Sequence, residues 1–296
     1  MGARGLDAAA VVTPAPRPAP TPAAALRPRA LSVTAAERLK TDPYAFYAGA
    51  MLRLRPLPRL DEDPSAADRG SAVHAILEEW VKLGEADPAM LPRFTEAELL
   101  RWAGHPLMRA LWAPRVRRAM DWVVETMALW EAAGWMPLAA EAGGSTVLHG
   151  IKLTGTADRI DRRSDGALAI VDYKTGVVPS HAQVAGGFAL QLGLLGLLAE
   201  VGALKGVPAG AVDALRFWKL GGGKTAGLVK DPLKHHKEVT PAADHLAATG
   251  AQFAALAETM LLGITPFVAK LHPDYARGTD YDQLARVNEW QGRPGQ

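Results

Sequence analysis

One stretch of the chain combines strand-forming residues with charges that are costly to bury. Residues 153–176, LTGTADRIDRRSDGALAIVDYKTG, predict two antiparallel strands joined by a polar turn. The second strand is apolar enough to lie inside a sheet, yet it ends in Asp172 and Lys174. Burying these charges is unfavourable unless they pair with each other or bind a metal ion. This hairpin therefore constrains both the fold and the chemistry.

Strand geometry places the charged side chains of the hairpin relative to one another. Asp172 and Lys174 are two residues apart and share one face of a strand. A turn through RRSDG brings Asp158 opposite Asp172. Two adjacent carboxylates repel unless a hard cation such as Mg²⁺ or Mn²⁺ bridges them, and a nearby lysine can orient a water or offset charge on a phosphate. The pattern suits phosphodiester hydrolysis.

The same residues also fit an exposed ladder of ion pairs, with Asp158 or Asp161 paired to Arg162 and Lys174. Short D…D-x-K patterns are frequent by chance, so spacing alone leaves both interpretations open. Asp161 lies three residues beyond Asp158, and strand alternation turns it to the opposite face. We expect it to pair there with an arginine.

Composition limits the kind of protein. The 296 residues suggest one large domain or two small ones, and 49% hydrophobic residues allow a sizeable core. No apolar run approaches the ~20 residues that span a bilayer, and the N-terminus lacks a secretory signal. Zero cysteines exclude disulfides, thiolate zinc sites and cysteine-held iron–sulfur clusters, which fits a cytoplasmic protein. The net charge of +2 permits nucleic acid as a partner without requiring it.

The chain changes character along its length. Residues 1–30, rich in proline and alanine, predict a disordered tail or linker, and residues 31–296 one domain. A T-x-x-E capping box at Thr34 and Glu37 predicts the first helix. Further helices are expected at 44–52, 65–85, 106–133, 181–204 and 241–262, short antiparallel strands within 136–163 and 166–174, and a further strand at 211–220. This order predicts an α/β core with a helical N-terminal elaboration.

The hairpin and its flanks resemble a known nuclease family. GTADRID…LAIVDYKTG is similar to the nuclease motif of the PD-(D/E)xK superfamily in its RecB-like form. LSVTAAERLKTDPYAFYAGAMLRLRPL, RGSAVHAILEEW and DYDQLARVNEW extend the resemblance to the C-terminal nuclease domain of AddB-type proteins. The resemblance covers nearly everything after the proline-rich segment. It implies a restriction-endonuclease-like core, a mixed central sheet flanked by helices.

The resemblance implies roles for individual residues. Asp158 and Asp172 are implied to bind Mg²⁺ or Mn²⁺, and Lys174 is the implied catalytic lysine. His74 and the main-chain carbonyl of Tyr173 are implied to complete the metal site. Without the resemblance, a lone histidine on an apolar helix face is more often a core residue.

Two further polar residues have open interpretations. Gln191 is implied to support the active site and DNA, but an amide that caps a backbone group inside the protein is equally compatible. Leu195 stands where relatives have a tyrosine, which weakens the DNA-contact role of that helix. Glu141 is either a secondary acidic ligand or, as we favour, a charged residue of an edge strand.

The chain departs from many relatives in lacking an iron–sulfur cluster. Those relatives hold a 4Fe–4S cluster with a cysteine before the proline of the early helix pair and with cysteines near the C-terminus. Here Asp42 precedes Pro43, and there is no cysteine. We expect packing to hold the N- and C-terminal segments together instead.

Other motifs carry less weight. LGGGKTAG is not a P-loop, because Trp218 replaces the required glycine, and a glycine-rich hairpin turn is expected. His235 and His236 are expected in a solvated basic loop. A group of arginines suits either a DNA backbone or an ordinary solvated face; its members are Arg109, Arg115, Arg117, Arg118, Arg159, Arg162 and Arg163.

The function implied is that of a Mg²⁺-dependent deoxyribonuclease. The resemblance implies an exonuclease that processes double-strand break ends in recombinational repair, acting on duplex ends and single strands as an AddB-type subunit with an AddA-like helicase–nuclease partner. A non-catalytic DNA-binding or assembly module that docks on a helicase is the alternative. A stand-alone RecB-like nuclease from another pathway is a third interpretation. The complete Asp/Asp/Lys/His set favours catalysis.

Overall fold

A six-stranded mixed sheet forms the centre of the protein, and helices cover both of its faces. The computed structural model describes residues 15–55, 57, 65–102, 104–106, 108–276 and 278–291. The strands of the sheet are β1 (Ala30–Ser32), β2 (Met136–Leu148), β3 (Ile151–Arg162), β4 (Leu168–Lys174), β5 (Val212–Leu220) and β6 (Gly227–Lys230). A separate ribbon consists of β7 (Lys234–His235) and β8 (Glu238–Val239).

The α-helices among the described residues alternate with these strands. They are α1 (Val33–Thr41), α2 (Pro43–Phe46), α3 (Ala66–Leu83), α4 (Leu91–Arg101), α5 (Ala113–Ala132), α6 (His181–Ala185), α7 (Gln191–Glu200), α8 (Ala242–Leu256) and α9 (Val287–Trp290). Wider π-type turns extend α2 and α8 and precede α5; they cover Tyr47–Met51, Ala257–Leu262 and Met108–Trp112. In the described part of the chain, no helix is long and apolar enough to cross a membrane.

The strand order explains why the predicted hairpin lies at the centre. Along the sheet the order is β1-β3-β4-β5-β6, and β2 pairs with the other edge of β3. β3 and β4 are antiparallel, whereas β4 and β5 are parallel and joined through α6 and α7. β5 and β6 form an antiparallel hairpin around residues 221–226, so the glycine-rich LGGGKTAG segment is a turn, as predicted. The mixed sheet flanked by helices confirms the predicted fold class.

β4 is buried on both faces, as its apolar sequence predicts. Leu168 and Ile170 belong to the hydrophobic core shared with α1, α7 and α8. Val171 and Tyr173 belong to a second core, shared with α3, α4 and α5. The strand that carries Asp172 therefore lies between two apolar layers, and its polar end is placed by packing on both sides.

Several local predictions are corrected. Helix α1 is capped by Ser32, whose hydroxyl accepts from the N–H of Ala35 at 3.1 Å, so the Thr34–Glu37 capping box is wrong. The helix expected at 181–204 is interrupted between α6 and α7, where Gly187 adopts a left-handed conformation with φ +71°. Helix α4 was not predicted. The prolines of RLRPLPRLDEDP predict a loop at residues 53–64, and most of that segment lies outside the described residues.

The proline-rich segment packs against the C-terminal part of the chain from residue 15 onward. The N–H groups of Phe267 and Ala269 donate to the carbonyls of Pro20 and Pro18, each at 2.9 Å. Arg27 is buried and donates to two main-chain carbonyls near the end of α8. The prediction of a disordered tail is therefore corrected for residues 15–30, whereas residues 1–14 lie outside the described residues.

Buried ion pairs join the early helices to the C-terminal segment. Asp42 accepts hydrogen bonds from the N–H groups of Ala45 and Lys270, at 3.1 and 3.0 Å. The Lys270 ammonium lies 3.7 Å from Asp42 and 2.7 Å from Asp282. This network packs the two segments together, as expected.

Asp42→Ala should destabilise the protein strongly, because it removes a helix cap and the buried carboxylate that accepts from the N–H of Lys270 and attracts its ammonium. We expect a loss of about 3 kcal/mol in the free energy of unfolding, measured by urea denaturation. Lys82→Ala, which removes an exposed ion pair with Glu78, should cost less than about 1 kcal/mol. Equal effects of the two substitutions would contradict a structural role for the buried network.

Candidate metal centre

The centre lies where β3 and β4 stop pairing. The last pair in their antiparallel ladder is Arg159 with Val171, so continuing the register places Asp158 beside Asp172. Beyond that pair, the Asp158 carboxylate accepts a hydrogen bond from the N–H of Tyr173 at 2.7 Å. A side chain thus replaces the strand partner of Tyr173. The separation of the strands opens the space in which the polar groups meet.

Three potential metal ligands converge there. Nδ1 of His74 lies 3.6 Å from a carboxylate oxygen of Asp158 and 3.7 Å from one of Glu141. One potential ligand atom from each of these residues lies within 4.8 Å of the others. Nε2 of His74 is 3.2 Å from the main-chain carbonyl of Tyr173. The structure therefore brings together His74, Asp158 and Tyr173, which the sequence had nominated.

Glu141 lies on the edge strand β2 and also faces this cluster. It lies between the pairs Ala140–Arg159 and Ala142–Ala157, which places it opposite Asp158. Its backbone has φ +46°, a conformation that is uncommon for residues other than glycine and that often marks functional sites. Its place on an edge strand agrees with the favoured interpretation, and its position beside His74 keeps the role of a secondary acidic ligand as a prediction. Strand alternation alone could not reveal a local left-handed residue.

Asp172 is almost fully buried and is poorly supplied with donors. Its carboxylate lies 2.6 Å from the Lys174 ammonium, but among the described residues neither oxygen has a partner that meets hydrogen-bond geometry. Burial raises its pKa, and Lys174 opposes that shift. Asp172 is not part of the three-residue group defined above. A buried carboxylate with unused acceptor oxygens beside a histidine–carboxylate cluster fits an oxygen-coordinated divalent cation.

The carboxylates of the cluster repel one another, and burial opposes their ionisation. Burial and repulsion from Asp172 raise the pKa of Asp158 to about 7, although His74 partly opposes the shift. For His74, burial alone lowers the pKa, but the carboxylates of Glu141 and Asp158 outweigh it and raise the pKa overall. Excess negative charge in a buried site favours protons or a metal ion.

Lys174 is held between an acid and an amide. Its ammonium lies 2.6 Å from Asp172 and donates to the side-chain oxygen of Gln191 at 3.1 Å. Gln191 therefore contacts the predicted catalytic lysine, in agreement with the supporting role that the resemblance implied. Leu195 is buried in the hydrophobic core.

Sequence reasoning missed Glu37. This residue was assigned to a capping box, but its carboxylate accepts a hydrogen bond from the main-chain N–H of Gln191 at 2.7 Å. Burial raises its pKa to about 7. The sequence offers one signal of such a buried contact: Glu37 is an acidic residue next to the apolar face of the short helix α1.

A buried polar network supports the centre from the opposite face of the sheet. The guanidinium of Arg159 contacts Asp161 at 2.9 Å, donates to the hydroxyl of Tyr173 at 3.0 Å and stacks on Trp218. Trp130 donates to Asp161 at 2.6 Å. The prediction that Asp161 pairs with an arginine away from the metal site is confirmed. Because Arg159 is fully buried, its proposed contact with DNA is wrong.

The remaining nominated groups lie apart from the centre. Arg117 pairs with Glu96, and Arg163 pairs with Asp165 and Asp213, so these two arginines already have acidic partners. His235 is exposed and stacks against other histidines, His181 and His236. Among the described residues, only the His74 cluster groups three or more potential ligands.

Comparison with known proteins identifies the family. A model of the PD-(D/E)XK nuclease superfamily matches residues 30–272. The chain belongs to the PD-(D/E)XK nuclease superfamily. Nucleases of this superfamily typically use divalent metals such as Mg²⁺. The donor set around His74 fits such an ion.

The curated relatives are longer proteins. An uncharacterized protein of Rickettsia bellii is 27% identical over 178 residues, and one of Rickettsia conorii is 29% identical over 178 residues. Each alignment covers 56% of this chain and 21% of the relative. The chain thus spans about a fifth of the length of the curated relatives it matches.

Without metal, Asp158→Asn should stabilise the protein at pH 8. The pKa of Asp158 is about 7 in the folded protein, above its ordinary value of 3.8. The contribution of Asp158 to the stability of the folded state is therefore highest below about pH 4, falls as the pH rises to about 7 and stays low above it, where Asp158 is ionised in the folded state. The asparagine avoids that cost while keeping an acceptor for the N–H of Tyr173. We expect a gain of at least about 1 kcal/mol in the free energy of unfolding in chelator.

Adding Mn²⁺ should reverse this order. The wild-type protein should gain about 3 kcal/mol at a metal concentration a hundredfold above Kd, because ionised carboxylates bind the cation. Asp158→Asn should gain little, and the exposed Asp165→Asn should behave like the wild type. A metal-dependent gain as large in Asp158→Asn as in the wild type would exclude Asp158 as a ligand.

Proposed function

We propose that the protein is a Mg²⁺-dependent deoxyribonuclease that removes nucleotides from DNA ends. The observation that carries the proposal is the position of the Lys174 ammonium, which is fixed by Asp172 and Gln191 next to the His74 cluster. A cation-ligand set beside a fixed ammonium suits charge stabilisation during phosphodiester hydrolysis. A purely structural ion pair does not require the neighbouring cluster of ligands.

The residues that would hold Mg²⁺ are those of the centre. His74, Glu141 and Asp158 supply the converging groups, and Asp172 and the Tyr173 carbonyl supply further oxygens. When bound, the cation supplies positive charge that neutralises phosphate oxygens and favours deprotonation of water. Asp158 accepts a hydrogen bond from the N–H of Tyr173, which fixes its carboxylate to β4, the strand that bears Asp172.

Lys174 acts on the reacting groups through its N–H donors. Hydrolysis forms a bond from a water oxygen to phosphorus while the water gives up one proton, and it breaks the bond from phosphorus to the departing nucleotide oxygen, which takes up one proton. An ammonium cannot accept the proton of the attacking water, so its role is to orient the water and to stabilise the growing negative charge on phosphate. Asp172 and Gln191 hold it for that task.

The biological setting proposed is recombinational repair in the cytoplasm. The resemblance of both flanks to the nuclease domain of AddB-type proteins supports trimming of double-strand break ends with an AddA-like helicase–nuclease partner. The alignments cover about a fifth of each longer relative. This fits a nuclease domain that acts together with other domains or subunits.

Lys174→Ala should abolish cleavage without abolishing DNA binding. We expect kcat to fall by about 10²-fold or more, as when a preorganised electrostatic group is removed. Lys219→Ala is the matched control, because Lys219 is paired in register with Lys174 on β5 and is exposed. Cleavage of end-labelled DNA with Mg²⁺ and DNA binding by fluorescence anisotropy are measured for each. Wild-type cleavage by Lys174→Ala would refute the assignment.

The exonuclease proposal predicts a dependence on ends. Linear single strands and duplexes should be degraded to short products, whereas covalently closed circles should stay intact under the same conditions. Each substrate is tested with and without a partner helicase. Cleavage of circles would show an endonuclease, and absence of both cleavage and Mn²⁺ binding would favour a DNA-binding or assembly module.

A further inference from the structure

Glu37 connects helix α1 to the catalytic lysine through one residue. Its carboxylate accepts a hydrogen bond from the main-chain N–H of Gln191 at 2.7 Å. The side-chain oxygen of the same glutamine accepts from the Lys174 ammonium at 3.1 Å. Backbone and side chain of Gln191 therefore link a buried acid to Lys174.

Helix α7 depends on this contact at its first turn. The initial N–H groups of any helix lack partners within the helix. The residue before α7 is Leu190, which offers no side-chain acceptor, and Gln191 is the first helical residue. Glu37 supplies the missing acceptor from another helix, and an acidic group there also interacts favourably with the helix dipole.

The composition of α7 increases its need for outside support. Gly193 and Gly196 lie within its ten residues, and each glycine costs about 1 kcal/mol relative to alanine in a helix. Both lie against α8, where an added Cβ at Gly193 would meet Thr249 and one at Gly196 would meet Leu246. Close packing against α8 thus requires glycines, and these glycines weaken α7. Gln191, which holds Lys174, is the first residue of this helix.

We propose that Glu37 is a positioning residue: by accepting the N–H of Gln191 it fixes the first turn of α7, so that the glutamine side chain holds Lys174 beside Asp172. The inference rests on the proposed nuclease function for its kinetic consequence. It concerns Glu37 as a hydrogen-bond acceptor and needs no negative charge. Burial raises the pKa of Glu37 to about 7, and both the ionised and the neutral carboxyl group can accept a hydrogen bond.

The test compares Glu37→Ala with Glu37→Gln. The alanine removes the acceptor, and we expect kcat to fall by about 10²-fold with little change in KM, because a misplacement of about 1 Å at a reacting group has that effect. The glutamine retains a carbonyl oxygen and should restore kcat to within about threefold of wild type. Thermal unfolding is followed for every variant.

Ser180→Ala controls for loss of a helix cap. The hydroxyl of Ser180 caps α6, a helix that precedes α7 and has no hydrogen bond to Lys174 among the described residues. This variant should be destabilised to a similar degree while its kcat stays within about threefold of wild type. A loss of kcat in Ser180→Ala equal to that in Glu37→Ala would overturn the inference.

A double variant tests whether Glu37 acts through Gln191. If it does, Glu37→Ala with Gln191→Ala should be no slower than Gln191→Ala alone. Additive losses would overturn the inference, as would equal losses in Glu37→Ala and Glu37→Gln, which would indicate a role for the charge. Wild-type kinetics in Glu37→Ala would overturn it as well.

A readout that needs no nuclease activity separates this inference from the proposed function. Acylation of Lys174 by an amine-reactive reagent is quantified by mass spectrometry relative to the exposed Lys219. Glu37→Ala should change that ratio several-fold, and Glu37→Gln should leave it unchanged. If the wild type cleaves no substrate, the proposed function fails, but the labelling ratio still tests the positioning role of Glu37. An unchanged ratio in Glu37→Ala refutes that role.

Discussion

The burial of two neighbouring carboxylates at the end of a central strand governs the rest of this structure. Asp158 and Asp172 are removed from water by the apolar layers that make the sheet stable. Their mutual repulsion has to be balanced by nearby donors or cations. The N–H of Tyr173, the His74 ring and the Lys174 ammonium provide that balance in part, and the remaining negative charge fits the divalent cation that we propose.

Each side of the sheet contributes differently to this arrangement. On one side, the pair of Arg159 with Asp161 anchors the Tyr173 hydroxyl, so the backbone of Tyr173 reaches both Asp158 and His74. On the other side, α1 and α7 set the position of Lys174. The site is thus assembled from parts of the chain that are far apart in sequence but are rigidly packed.

The sequence predicted the centre better than its surroundings. Asp158, Asp172 and Lys174 follow from strand alternation and a turn, and His74 and Gln191 followed from resemblance. Glu37 was misassigned, because its contact between helices depends on tertiary packing, and the left-handed backbone of Glu141 was likewise invisible to strand alternation. Local patterns likewise could not show that residues 15–30 pack against the C-terminal segment. A proline-rich composition indicates the conformation of an isolated segment but not its tertiary contacts.

The most direct test of the central claim is a crystal structure with Mn²⁺, in which anomalous scattering locates the ion. The account predicts a single strong peak bonded to His74 and Asp158, at about 2.0–2.3 Å from their ligand atoms. An ion bound elsewhere, or an empty site with the Asp158 carboxylate still on the N–H of Tyr173, would contradict it.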